Sequence, residues 1–183
     1  PEIWDLANFF ATDTVLKAAA SKIKTPLEGL RVVCYYGCMA SRPPEITESP
    51  DCEDPQSLDR IIENLGGTPI AWPYKTDCCG ATQAFSRRDI VYRLVGKLFE
   101  MARRVGAQAV VVSCQMCQAN LDIFQKQVSG QAEAQFHFPI YYFSELIGVA
   151  MGLDEARKWL SRHITDPLPK LRELGLLERH QPG

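Results

Sequence analysis

The chain has 183 residues, with 20 Lys+Arg against 22 Asp+Glu, a formal charge of −2, and 46% hydrophobic and 23% charged residues. That length suits one domain with a sizeable core, and the composition excludes an intrinsically disordered chain. Near-zero net charge gives no general attraction to nucleic acid or an anionic membrane, and the longest apolar runs, around Ala109–Val112 and Phe138–Phe143, fall far short of a membrane span. The chain starts at Pro1 rather than Met, which suggests a trimmed or excised piece. No basic stretch leading into an apolar run opens it, so no secretory signal is expected.

In chain order, apolar residues at Leu6, Phe9, Phe10, Leu16, Ala19 and Ala20 step by three and four. They predict one or two amphipathic helices over Ile3–Ile23, ended by Pro26 and Gly29. Arg31–Tyr36 is a β-rich run closed by Gly37. Met39–Pro55 carries Pro43, Pro44, Pro50 and Pro55 and reads as irregular, Ser57–Leu65 as helix, Thr68–Trp72 as a short strand and Pro73–Gly80 as loop. Apolar residues at Val91, Leu94, Val95, Leu98 and Met101 predict a helix over Arg88–Val105. A buried-type strand at Ala109–Val112 leads almost directly into a helix over Gln115–Val128. A fourth strand at Ile140–Phe143 is followed by helices across Glu145–Met151 and Asp154–Ser161. Strand–helix alternation of this kind predicts an α/β fold: a parallel, Rossmann-like sheet of about four strands with helices on both faces. Residues 1–29 form a helical extension in this reading, 30–165 the sheet domain and 166–183 a helical tail.

Seven cysteines are the unusual feature. A secreted disulfide scaffold is usually shorter, and an odd count leaves a thiol outside any intrachain pairing. A reducing, cytoplasmic setting with metal-binding or redox cysteines is therefore expected. Cys38 follows the first strand, Cys78 and Cys79 the second, and Cys114 and Cys117 the third. In a parallel sheet the strands' carboxyl ends share one edge, where ligands bind, so three segments would deliver five thiols to one place. Cys114-Gln-Met-Cys117 also opens a helix, whose free N–H groups favour thiolate. The adjacent Cys78-Cys79 pair fits poorly in a mononuclear zinc site. Four soft ligands saturate zinc or a regular cubane, whereas five leave one spare or indicate thiolates that bridge irons, so iron–sulfur is preferred over zinc.

The remaining candidates have plainer readings. Cys34, inside a strand, reads as a buried hydrophobe, and Cys52, among carboxylates, as a bystander. His137, His163 and His180 lack metal-ligand spacing. Arg42, Lys75, Arg87 and Arg88 lie in or near the cysteine loops. Of these, Arg42 and Lys75 are weak candidates for holding a substrate's anionic group, against a plain reading as surface charge. Gly37 and Gly80 read as tight turns, and Tyr35, Tyr36 and Trp72 as packing.

The words Tyr35-Tyr-Gly-Cys-Met-Ala-Ser-Arg-Pro-Pro44, Trp72-Pro-Tyr-Lys-Thr-Asp-Cys-Cys-Gly-Ala81 and Cys114-Gln-Met-Cys-Gln-Ala-Asn-Leu-Asp122 resemble the CCG (cysteine-rich) domain family. Within it they resemble the C-terminal half of the heterodisulfide reductase B-subunit, over about Arg31 to Gly152. The resemblance implies a noncubane 4Fe-4S cluster held by Cys38, Cys78, Cys79, Cys114 and Cys117, making 30–165 a CCG iron–sulfur domain. It further implies that the cluster cleaves a disulfide with electrons from partner subunits of a reductase complex; in methanogens the disulfide joins coenzyme M and coenzyme B. The family member normally has two copies of the motif and this chain has one, so a two-cluster mechanism would need the other copy from elsewhere. Three alternatives stand beside this: an electron-transfer subunit without its own catalysis, a zinc-stabilised scaffold, with zinc also a substitute in aerobically prepared protein, and an oxidoreductase using the Cys114–Cys117 dithiol directly.

Overall fold

Four runs of the chain form one parallel sheet in the computed structural model, which describes residues 5–47, 51–131 and 135–177. The strands are β1 (Arg31–Tyr35), β2 (Thr68–Pro69), β3 (Ala109–Val112) and β4 (Ile140–Tyr142), in the order β2-β1-β3-β4. Register sets Val32 against Ala109 and Tyr35 against Val112, then Val110 against Ile140 and Val112 against Tyr142. Around the sheet lie α1 (Leu6–Phe10), α2 (Asp13–Ala20), α3 (Pro44–Thr47), α4 (Ser57–Asn64), α5 (Arg88–Arg104), α6 (Gln115–Ile123), α7 (Gln125–Gln131), α8 (Phe143–Ala150), α9 (Glu155–Leu160) and α10 (Leu168–Glu173). The α/β architecture expected from the alternation is the one found.

Successive strand residues point to opposite faces, and both faces are covered. Val32, Cys34, Val111 and Tyr141 pack in one cluster with Ala7 of α1, Ile61 and Ile62 of α4, Leu146 of α8, Leu160 of α9 and Leu171 of α10. Val33, Tyr35, Val110, Val112 and Ile140 face the other way, against Val91, Val95, Leu98 and Phe99 of α5 and Leu121 of α6. No helix among the described residues is long and apolar enough to cross a membrane.

The first stretch agrees with its expectation of one or two helices: two form, the second starting from Thr12 in extended backbone. Several boundaries differ from the sequence expectation. A short helix, α3, forms in the segment expected to be irregular. β2 stops at Pro69, although the Ile70 amide still donates to the Val32 carbonyl at 2.7 Å. Pro69 has no N–H to give, which suits an edge strand, and Trp72 turns inward so that its indole N–H reaches the Cys34 carbonyl at 2.8 Å. The helix expected over Gln115–Val128 breaks at Phe124, whose ring packs edge-on against Tyr92. Directly after it, the Gln125 carboxamide satisfies both the N–H and the C=O of Phe138 at 2.8 and 2.7 Å. Phe143 opens α8 rather than closing β4, because the Glu145 carboxylate takes the Tyr142 N–H at 2.8 Å. His180 and Pro50 lie outside the described residues.

Candidate functional site

All strand pairs are parallel, so the chain leaves β1, β2 and β3 at the same edge. Past β1 the backbone turns at Gly37, with φ +74°. The N–H groups of Tyr36 and Gly37 both donate to the Lys75 carbonyl, at 2.8 and 3.2 Å, which fastens the Cys38 loop to the segment entering Cys78. A Cβ at position 37 would stand 2.7 Å from the Cys117 sulfur. Glycine is needed there twice over, for the left-handed turn and for the close approach of the thiol.

The Cys78-Cys79 loop is held from two sides. The Tyr35 hydroxyl donates to the Asp77 carbonyl at 2.6 Å, and the Asn120 carboxamide of α6 donates to the Cys79 carbonyl at 2.8 Å. The Gly80 N–H points back at the Cys78 sulfur, 3.3 Å away. Beyond β3, Cys114 is the N-cap of α6, and its sulfur accepts the Cys117 N–H at 3.3 Å. Tyr142 brackets this cap: its hydroxyl donates to the Ser113 carbonyl at 2.7 Å and accepts from the Gln115 carboxamide at 3.1 Å.

The thiols interact with one another. The Cys117 thiol donates toward Cys114, whose pKa falls to about 6 with help from the Cys117 and Met116 amides. Cys79 lies on the other side of the same single S–H and is lowered to about 6 against its burial, with the Ala81 amide, Tyr35 and Asn120 assisting. Held between these two sulfurs, Cys117 keeps its proton and is raised. Cys38 is raised by burial and by its neighbour Cys78. Cys79 and Cys117 are buried, Cys38 and Cys114 half-buried, and Cys78 exposed. The sulfurs thus form two adjoining sets, Cys114–Cys117–Cys79 and Cys38–Cys78. Among the described residues no three Cys, His, Asp or Glu groups are already arranged as a metal shell. The donor set nevertheless suits an iron–sulfur group in kind. It offers soft thiols from three segments, two of which lose protons readily, N–H groups aimed at sulfur, and a glycine that leaves the space beside Cys117 open.

Cys34 and Cys52 stand apart from this group. Cys34 is buried in β1 on the opposite face of the sheet, its thiol pushed up by burial. Cys52 lies beside Glu53, with its carbonyl taking the Ser41 hydroxyl at 2.9 Å. The Arg42 guanidinium pairs with Glu53 at 2.5 Å. Lys75 is buried, its ammonium meeting Asp54 at 2.7 Å, Asp59 at 3.1 Å and the Pro55 carbonyl at 3.1 Å, which uses all three of its donors. The Tyr36 hydroxyl donates to the other Asp59 oxygen at 2.7 Å. A cleft of about 630 Å³ beside Lys75 is lined by Asp54, Asp59, Glu63 and Trp72, with no cysteine. Arg87 pairs with Asp89, and Arg88 donates to the Ala84 carbonyl. His137 is exposed, whereas His163 is buried against Glu145 at 2.9 Å.

Sequence reading missed Asn120 and Tyr142 and took Tyr35 for packing alone. Asn120 was open to discovery, as a polar residue one helical turn beyond Cys117 on the stripe that must face the sheet. Tyr142 was not, because nothing local ties β4 to the loop after β3.

A family model for a cysteine-rich domain, CCG, matches residues 32–122. The chain is 27% identical over 146 residues to the 8-methylmenaquinol:fumarate reductase membrane anchor subunit of Wolinella succinogenes, across 80% of this chain and 51% of that protein. It is 26% identical over 132 residues to the B-subunit of the ferredoxin:CoB-CoM heterodisulfide reductase of Methanosarcina mazei, across 71% and 44%. A protein of Archaeoglobus profundus described as similar to the heterodisulfide reductase B-subunit is 26% identical over 148 residues, across 78% and 49%. The chain spans about half the length of the curated relatives it matches.

Proposed function

We infer the function from a family, because through residues 32–122 this chain belongs to the cysteine-rich CCG domain family. It serves as an iron–sulfur subunit, or the corresponding half of one, in a reductase complex that reduces a small-molecule disulfide. Cys38, Cys78, Cys79, Cys114 and Cys117 hold the group, as a noncubane 4Fe-4S cluster. The observation that carries this reading is the delivery of five thiols by three separate segments to one edge of the sheet. The heterodisulfide reductase proteins among the relatives support the disulfide as substrate.

When bound, such a group supplies electrons and soft iron sites with affinity for sulfur. The chain's own residues do the rest. The lowered pKa values of Cys79 and Cys114 make thiolate available at neutral pH, the form that binds metal. Met39 and Met116, both exposed, flank the cysteines with polarizable sulfur and little fixed charge. Cleaving R–S–S–R′ to two thiols takes two electrons and two protons. The electrons come from a partner subunit and the protons from solvent at the open side, where Cys78 is exposed. All seven cysteines are free thiols, which suits a reducing, cytoplasmic setting.

The fumarate reductase relative favours a second reading, in which this chain relays electrons for a reductase whose chemistry lies elsewhere. Anaerobic reconstitution followed by metal analysis and magnetic spectroscopy, with and without a disulfide, separates the two. The leading reading expects about four irons per chain and a spectrum altered by disulfide. Iron with a spectrum that no disulfide alters supports the relay. Zinc alone, or a metal-free protein with a titratable Cys114–Cys117 couple, overturns both.

A further inference from the structure

Asn120 lies one turn beyond Cys117 on α6 and is only 4% exposed. Its Nδ2 donates to the Cys79 carbonyl at 2.8 Å. A carbonyl can only accept, so the carboxamide must turn its nitrogen to the loop, and Oδ1 is left buried without a partner. An unpartnered buried acceptor is costly, and the neighbouring side chains, Cys117 and Leu121, belong to the apolar cluster. An aliphatic residue would remove that oxygen but strip the Cys79 carbonyl of its donor, so packing alone does not account for the polar side chain. The hydrogen bond to the Cys79 carbonyl supplies the reason, because it ties α6 to the loop that carries Cys79.

We propose that Asn120 is a positioning residue, a latch from α6 to the peptide of Cys79 that sets the spacing between Cys79 and Cys117. The Tyr35 hydroxyl fixes the loop's entrance at Asp77, and Asn120 fixes the loop two residues later, on the helix that bears the other two sulfurs. This deepens the proposed centre and rests on that reading only for the iron readout below.

The test compares the wild type with Asn120→Leu and Asn120→Ala, prepared anaerobically and metal-free, measuring the iodoacetamide alkylation rate of each cysteine by fragment-resolved mass spectrometry. Loss of one hydrogen bond is expected to speed alkylation of Cys79 about two- to tenfold, with Cys34 and Cys52 unchanged. The Leu variant should melt close to the wild-type temperature, because the orphaned Oδ1 is gone while the Cys79 carbonyl loses its donor. A merely structural role would instead lower the melting temperature and speed Cys34 and Cys79 together. That result, or an unchanged Cys79 rate in either folded variant, overturns the latch. In iron-loaded protein the Leu variant should also show a shifted midpoint potential. A wild type that takes up no iron defeats the proposed centre, while the alkylation rates still decide the latch.

Discussion

Cys34 and Cys79, on opposite faces of the sheet, are both buried but differ in what surrounds the sulfur. On one face, Cys34 sits among Val32, Val111, Ile61 and Leu146, and burial raises its thiol. It behaves as a small hydrophobe. On the other, Cys79 and Cys117 also pack within an apolar cluster, with Val91, Leu98 and Leu121, yet Cys79 is lowered. The difference is not burial but donors. Cys79 has the Cys117 thiol, the Ala81 amide, Tyr35 and Asn120 beside it. Polar groups placed beside a sulfur offset the desolvation of its charged form, which packing among aliphatic side chains cannot do.

The strongest break in this comparison comes from removing one sulfur on each face. Cys117→Ala should cut reconstituted iron from about four per chain to under about one. Cys34→Ala should keep the iron and cost about 1 kcal/mol of stability, read by urea unfolding. Next in size is Gly37→Ala. Its left-handed backbone costs about 1–2 kcal/mol, and its new methyl displaces the Cys117 sulfur, so iron uptake should fall together with the unfolding midpoint.

Tyr142→Phe is milder. It removes the two hydrogen bonds that bracket Cys114 without altering the ring, and should cost about 1 kcal/mol while Cys114 alkylates faster than in the wild type. Equal rates would show that the cap of α6 holds Cys114 unaided. The smallest effect concerns His163, whose Nε2–H donates to the Glu145 carboxylate at 2.9 Å. Burial opposes its charge, but Glu145, Asp122 and Asp166 prevail and its pKa is raised. A group raised on folding stabilises most below its unfolded pKa, about 6.5, and loses that contribution as pH climbs through its folded value. The stability lost in His163→Gln should therefore be larger at about pH 5.5 than at about pH 8.5.

The same comparison explains what was legible in the sequence. Apolar patterning marks β1, β3, β4 and the long helix α5, because those residues are buried by the pattern that predicts them. Cys38 and Cys114 were legible through position, just past β1 and β3. Cys78 and Cys79 lie well beyond the end of β2 at Pro69 and are held at the carboxyl edge by hydrogen bonds from Tyr35, Asn120 and the Gly37 turn. Helix breaks were not legible, since α6 ends where the Phe124 ring meets Tyr92 and the Gln125 carboxamide meets Phe138, both distant in sequence. Nor was the engagement of Lys75, whose partners Asp54 and Asp59 reach it only once α4 has packed on the sheet. Charge beside a motif says little until the fold shows which carboxylates surround it.

The most direct test counts iron in seven single Cys→Ala variants reconstituted without oxygen. About four irons per chain should remain in Cys34→Ala and Cys52→Ala, as in the wild type, and should vanish when Cys38, Cys78, Cys79, Cys114 or Cys117 is replaced. Full iron in Cys78→Ala or Cys79→Ala, or its loss in Cys52→Ala, would contradict a centre built from those five sulfurs.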